Sequence, residues 1–328
     1  MKIGIIGGGA WGTALAIGLS KKFQDILIYS IENEVRDSIN QYHTNTLYLE
    51  GFLLPSHIKG TSNIADLKDY KILLIATPTQ FIRDMAIKIK PFCENSKILI
   101  CSKGIEIKNK QLISQILEYE LGHPENIGVL TGPSFATDLA KELPTALLLA
   151  LPNIEEAKKL ATQFSSNVMR IYYSDDVMAS QIGGAVKNVL AIAGGIIKGA
   201  DLGNNALAAM LTRGLKDIVN LTLSLGGKAE TVYGLSGLGD LLLTATSEKS
   251  RNFSLGLTIG EQGKYSGKME GKLSGIAEGF YTTKALYEIM QERQINMPIC
   301  KQVYEICYEG KNLREVVQTL MQKPISEE

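Results

Sequence analysis

The 328 residues are enough for a large buried core and, at about 100–200 residues per domain, for two domains. With 45% hydrophobic and 21% charged residues the composition is that of an ordinary globular protein, which excludes a fibre or a disordered chain. The 34 Lys and Arg balance the 34 Asp and Glu, so no global field draws the chain to nucleic acid or anionic lipid, and any anion must be met by local charge.

The first predicted strand, Lys2–Ile6, runs into Gly7-Gly8-Gly9-Ala10-Trp11-Gly12. The uncharged run Ile3–Ser20, with Ala14-Leu15-Ala16, mimics a signal peptide. Glycines at 4, 7, 8, 9, 12 and 18 interrupt it where a strand must turn into a helix, so the chain is read as cytoplasmic. No other apolar run approaches the ~20 residues that span a bilayer, and no membrane insertion is expected. Cys93, Cys101, Cys300 and Cys307 form no CxxC pair and lack nearby histidines, which fits reduced thiols and no metal site. His43, His57 and His123 are scattered and read as ordinary surface or loop residues.

Further strands are expected at Ile26–Ser30, Lys71–Ala76, Lys97–Ser102, Asn126–Thr131, Thr145–Leu151 and Met169–Tyr173, several of them continuous Val/Ile/Leu runs of the kind buried on both faces. Amphipathic helices are expected at Phe81–Lys90 and Glu155–Phe164. The alternation predicts an α/β fold, a Rossmann-type doubly wound sheet over residues 1–176. After Ser174 strand-like runs cease, and Asp176–Ala200 reads as a buried helix founding an all-helical carboxyl-terminal domain over 177–328. Gly226-Gly227 and Gly260–Gly271 look like surface turns.

The spacing of Gly7, Gly9 and Gly12 has a mechanical meaning. The first glycine makes a tight turn, the second lets backbone approach a pyrophosphate, and the third permits close helix–strand packing. The following helix presents its free N–H groups and dipole to an anion, so a dinucleotide cofactor is expected here. Glu32, just past the second strand, lies where an acidic residue hydrogen-bonds the adenosine ribose; it favours NAD over NADP because a carboxylate repels a 2′-phosphate. The alternative is that Glu32 points into water.

Lys103 follows a later strand, where ligands of open α/β sheets bind, although a solvated loop lysine looks the same. Thr131-Gly132-Pro133-Ser134-Phe135-Ala136 is another strand-to-helix turn, whose N–H groups and Ser134 hydroxyl suit a polar ligand or a plain N-cap. Lys187 is the one charge in the stretch from Ile182 to Leu190; desolvation tunes such a lysine for acid/base work near neutral pH, unless it snorkels out to a surface carboxylate. Asp240 either hydrogen-bonds a hydroxyl, orients Lys187 or caps a helix. Ser250-Arg251-Asn252 offers a guanidinium fork between two short polar side chains, suited to phosphate oxygens. These charges together favour an anionic substrate that carries a reducible ketone.

Gly7–Ala16, Ser102–Glu106, Gly132–Ala136, Gly184–Asn188, Gly237–Thr244 and Ser250–Asn252, with Met297-Pro298-Ile299 and Tyr308–Lys311, together resemble the bacterial NAD(P)-dependent sn-glycerol-3-phosphate dehydrogenase family nearly end to end. The resemblance implies interconversion of dihydroxyacetone phosphate and sn-glycerol 3-phosphate for phospholipid synthesis, with Lys187 as proton donor and acceptor. It places Lys103, Gly132, Ser134, Lys187, Asp240, Ser250, Arg251 and Asn252 on the substrate. Ala10, Trp11, Ile31, Lys103, Ala136, Arg251, Ile276 and Glu278 fall on the cofactor, NAD or NADP. Many relatives carry His or Arg where Ile31 stands, a departure that agrees with Glu32 in weakening any NADP preference. A β-hydroxy-acid dehydrogenase and a non-catalytic dinucleotide sensor are the rival readings. Oligomeric state is left open, with a homodimer through the helical half as one expectation.

Overall fold

The computed structural model describes residues 1–265 and 277–322. One sheet runs in the order β3-β2-β1-β4-β5-β6-β7-β8, built from β1 (Ile3–Ile6), β2 (Ile26–Tyr29), β3 (Ile58–Thr61), β4 (Ile72–Ile75), β5 (Lys97–Ile100), β6 (Ile127–Thr131), β7 (Thr145–Ala150) and β8 (Met169–Ser174). Neighbours are parallel except β6 and β7, which run antiparallel with Val129 opposite Ala150.

Helices α1 (Ala10–Leu19), α2 (Asn33–Asp37), α3 (Ile82–Ile89), α4 (Ile113–Leu121), α5 (Ala136–Ala140) and α6 (Ile154–Phe164) cover the sheet. Alternate residues of the inner strands enter different cores. Ile3, Ile5, Leu74 and Leu99 pack with α1 and α6, whereas Ile6, Leu73, Ile75 and Ile100 pack with α3 and α4. Burial on both faces explains the unbroken apolar runs. The apolar segment after Ile3 is thus β1 and the buried side of α1.

The strand β3 has no counterpart among the sequence expectations. Its residues Ile58-Lys59-Gly60-Thr61 form an edge with only Ile58 and Thr61 buried, so no continuous apolar run marks it. Gly60 keeps the strand smooth where α2 crosses, since a Cβ there would come within 3.0 Å of the Arg36 Cα.

The sheet changes direction at β1, which lies between β2 and β4. That is the switch point where open α/β sheets bind ligands beyond the carboxyl ends of their strands. Gly7 leaves β1 there and Thr77 leaves β4, joined by a hydrogen bond from the Thr77 hydroxyl to the Ile6 carbonyl (3.0 Å).

Beyond β8 the chain is helical: α7 (Val177–Gly199), α8 (Gly203–Ser224), α9 (Ala229–Val232), α10 (Asp240–Ala245), α11 (Arg251–Gln262), α12 (Glu278–Arg293), α13 (Pro298–Tyr308) and α14 (Leu313–Met321). Asp176 caps α7, one carboxylate oxygen accepting from Ala179 N–H at 2.9 Å and the other from Lys228 N–H at 2.8 Å. The helix α7 is long and apolar enough to cross a bilayer, but it is a core helix, buried along nearly its whole length by its neighbours.

Two small-residue stripes bring α7 and α11 into backbone contact. A Cβ on Gly195 or Gly199 would collide with the carbonyls of Phe253 and Leu257, and one on Gly256 or Gly260 with those of Ile192 and Ile196. Gly260 is therefore a buried helix residue and not the start of a surface turn; its role is close approach, which sequence alone does not distinguish from a turn. The chain from 266 to 271 lies outside the described residues. Gly226 does occupy a turn, with φ +83°.

Candidate active site

The three spaced glycines divide the work of the first turn. Gly7 has φ +124°, and a Cβ on it would lie 2.8 Å from the Ala76 carbonyl carbon. A Cβ on Gly12 would collide with the Gly7 carbonyl, so α1 packs on the turn it grows from. Gly9 is different: nothing lies within 4 Å of a Cβ placed there. Gly9 is also the N-cap of α1, with no side-chain cap and no acidic residue in the first turn, so the N–H groups that begin at Ala10 face this open space. The Trp11 indole N–H is buried and unpartnered among the described residues. Open backbone, free donors and a positive helix end fit a pyrophosphate.

The turn is braced from a loop the sequence did not mark. The buried Asn45 carboxamide donates to the Gly8 carbonyl at 2.7 Å and to the Thr13 hydroxyl at 2.8 Å. From the same loop the Tyr48 hydroxyl donates to Glu32 at 3.0 Å, while Ser30 donates to the other Glu32 oxygen at 2.6 Å. Partial burial raises the Glu32 pKa, but these two hydrogen bonds and one from backbone outweigh it and hold the carboxyl below its usual range. Ile31 beside it is exposed.

Across the crevice, Lys103, Gly132, Lys187 and Asp240 come together. Lys103 donates to Asp240 at 2.6 Å and to the Gly132 carbonyl at 3.3 Å. Lys187, from the middle of α7, donates to the other oxygen of Asp240 and to the Thr244 hydroxyl, the latter at 2.8 Å. Lys187 is buried, so it does not snorkel to the surface, and Asp240 is the first residue of α10 after the N-cap Gly239, so it is not an N-cap. Burial lowers the Lys187 pKa to about 7, the Asp240 carboxylate opposing this and the Lys103 ammonium adding to it.

Glycines let these chains meet. A Cβ on Gly184 would lie 3.2 Å from the Lys103 Cγ and 3.5 Å from the Thr131 hydroxyl, and one on Gly183 would collide with the Ser236 carbonyl. The Thr131 hydroxyl is buried and unpartnered among the described residues. Ser134 donates to the Gly132 carbonyl at 3.1 Å, and Phe135 rather than Ser134 is the N-cap of α5, which begins at Ala136.

Ser250 caps α11, its oxygen accepting from Phe253 N–H at 3.3 Å. Asn252 accepts from Gly279 N–H at 2.9 Å and ties α11 to α12. Arg251 is exposed beside them. Glu278, the first residue of α12, accepts from the Thr79 backbone N–H; desolvation raises its pKa, and that hydrogen bond with the charges of Arg251, Lys103 and Lys187 opposes the rise. Ile276 lies outside the described residues.

The loop that carries Lys103 is gripped by the segment after β4. Thr79 donates to the Lys103 carbonyl at 3.1 Å, and the Gln80 carboxamide donates to the Ile105 carbonyl at 3.0 Å while accepting from Ile107 N–H at 3.1 Å. Arg83 makes a fork to Glu106 at 2.8 and 2.9 Å and reaches Glu120 and Gln111.

Family models described as the amino- and carboxyl-terminal parts of NAD-dependent glycerol-3-phosphate dehydrogenase match residues 2–157 and 176–318. The chain belongs to the NAD-dependent glycerol-3-phosphate dehydrogenase family. Among curated relatives of this family, glycerol-3-phosphate dehydrogenase [NAD(P)+] of Erythrobacter litoralis is 41% identical over 100% of this chain and 98% of its own. The Staphylococcus carnosus protein of the same name is 37% identical over 98% of this chain and 97% of its own. The crystal structure of glycerol-3-phosphate dehydrogenase from Coxiella burnetii superposes with TM-score 0.91 at 36% identity, covering 98% of this chain and 99% of that one. Ketopantoate reductase from Ralstonia eutropha, at 14% identity and TM-score 0.60, shares the fold alone.

Proposed function

We propose that this chain interconverts dihydroxyacetone phosphate and sn-glycerol 3-phosphate with NAD or NADP, supplying glycerol 3-phosphate for phospholipid synthesis in the cytoplasm. The observation that carries the reading is the buried Lys187 side chain, held with Lys103 on one Asp240 carboxylate beyond the carboxyl end of β5. When bound, the nicotinamide supplies or accepts the hydride. Lys187 gives a proton to the developing alkoxide in ketone reduction and takes it back in alcohol oxidation, which its lowered pKa suits near neutral pH. Asp240 and Thr244 fix the lysine head, so the proton is delivered at one place.

Lys103, Gly132, Ser134 and Asp240 line the reacting end of the substrate in this reading. Ser250, Arg251 and Asn252 take the phosphate, and the Ser250 hydroxyl still has its proton to donate while its oxygen caps α11. Binding energy from that remote phosphate orients the ketone toward Lys187. Gly7, Gly9, Gly12, Ala10 and Trp11 cradle the pyrophosphate, and Ala136, Arg251, Ile276 and Glu278 complete the cofactor wall. Residues 1–176 act as the dinucleotide-binding domain and 177–328 as the catalytic helical domain.

NAD is the preferred cofactor in this reading, supported by Glu32, whose anionic carboxylate opposes a 2′-phosphate. Four free, buried cysteines support a reducing compartment. A homodimer through the helical half is part of the reading, tested by sedimentation. The direct test of activity adds dihydroxyacetone phosphate to protein with NADH and then with NADPH and follows the nicotinamide absorbance; no fall with either cofactor sinks the proposal.

A further inference from the structure

We propose that Tyr48 is a cofactor-specificity residue that acts by positioning the Glu32 carboxylate. The inference rests on the reading of Glu32 as the NAD-selecting group. Glu32 comes after Ser30 and Ile31 at the end of β2, beside the switch point, where it meets the adenosine end of a dinucleotide that lies on the Gly7–Gly12 turn. A glutamate at such a place discriminates only while its charge stays there, because a free side chain rotates into solvent and leaves room for a 2′-phosphate.

Here the carboxylate is not free. One oxygen accepts from the Ser30 hydroxyl and the other from the Tyr48 hydroxyl, so both ends are pinned. Charge-assisted bonds of this kind are the stronger class. The nearby cation does not neutralise it, since the Arg36 guanidinium is spent on Asp37 and Asn33.

Tyr48 is itself held in register with the phosphate turn. Its backbone N–H donates to the Asn45 side-chain oxygen at 3.2 Å, while the amide nitrogen of Asn45 bonds the Gly8 carbonyl and the Thr13 hydroxyl. One loop thus sets both the phosphate cradle and the ribose-end carboxylate, and the distance between them is fixed by structure rather than by a flexible side chain. Tyr48 is 43% exposed, so its hydroxyl can be removed without opening a core cavity.

The test is direct titration of NADH and of NADPH into wild-type protein, Tyr48→Phe, Glu32→Gln and the double variant, read by calorimetry or by quenching of Trp11. Tyr48→Phe is expected to lower the NADPH-to-NADH ratio of dissociation constants by about tenfold or more, the scale of one hydrogen bond to a charged group, with the fold retained. In the Glu32→Gln background the same substitution is expected to change the ratio less than twofold, because the residue acts through Glu32. An unchanged ratio in Tyr48→Phe, with wild type preferring NADH, overturns the inference and leaves the Glu32 reading standing. A wild type that binds both cofactors equally overturns the Glu32 reading and this inference with it. An equal effect of Tyr48→Phe with and without Glu32 also overturns it, since the tyrosine then acts by itself.

Discussion

Lys103 and Lys187 reach one carboxylate from opposite halves of the chain: Lys103, on the loop after β5, takes one oxygen of Asp240, and Lys187, in the middle of α7, takes the other. Lys103, Lys187 and Arg251 together bring more positive charge to this cluster than Asp240 and Glu278 bring negative. That surplus suits an anionic substrate and an alkoxide-like transition state, and it costs most for the more deeply buried cation, Lys187.

Lys187→Ala is expected to cut turnover by about 10²–10⁴-fold, the usual worth of a positioned acid/base group. Dinucleotide affinity should stay within about twofold of wild type, because the Gly7–Gly12 cradle is untouched. Steady-state rates and cofactor titration on the same preparation check both halves. Wild-type turnover in the variant removes Lys187 from the mechanism.

The lowered Lys187 pKa sets a sign for pH dependence. Ketone reduction needs the ammonium form, so its kcat/KM should fall as pH rises through about 7, and that of alcohol oxidation should rise over the same window. Lys103→Met removes a neighbouring positive charge, which should raise the Lys187 pKa and move both profiles up by on the order of one pH unit. Asp240→Asn removes the opposing carboxylate and should move them down. Initial rates across the pH range decide the matter, and shifts of the same sign in both variants would contradict the shared-carboxylate account.

What the sequence made legible follows from what leaves a local pattern. The interior strands show as unbroken apolar runs because both faces are covered, and Lys187 shows because it is the one charge in its stretch of an apolar helix. The edge strand β3 leaves no such run. Lys103 and Lys187 are separated by 137 and 53 residues from their shared partner Asp240, and no periodicity brings residues so far apart into one thought. Asn45, Tyr48 and Gln80 were invisible for a related reason: polar residues in loops read as turn chemistry until their long-range partners are known. The paired glycines of α7 and α11 were ambiguous because close helix packing and chain reversal select the same residue.

The grip of Gln80 on the Lys103 loop makes a milder prediction. Gln80→Ala loses two hydrogen bonds, to Ile105 and Ile107, and is expected to cost about 0.5–1.5 kcal/mol for each bond lost. Because that loop presents Lys103, KM for dihydroxyacetone phosphate should rise several-fold while kcat changes less. Urea unfolding gives the stability and substrate titration gives the split; a kcat loss with unchanged KM would mean that the loop does not place a binding group.

Three glycines separate binding from packing. Gly9 has extended backbone, φ −70° and ψ 179°, and open space around its Cα, so Gly9→Ala should leave stability within about 1 kcal/mol of wild type. The added methyl would then occupy the approach to the α1 N–H groups, and dinucleotide dissociation constants should rise by about tenfold or more. Gly195→Ala should do the reverse, driving a methyl into the Phe253 carbonyl of α11 and costing about 1–3 kcal/mol or more. Its cofactor affinity, measured on the folded fraction, should be retained. Gly12→Ala should fail on both counts, because its methyl meets the carbonyl of the turn itself, Gly7. Thermal unfolding and cofactor titration of the three variants side by side test the division, and a Gly9→Ala protein that binds dinucleotide as wild type does would place the pyrophosphate elsewhere.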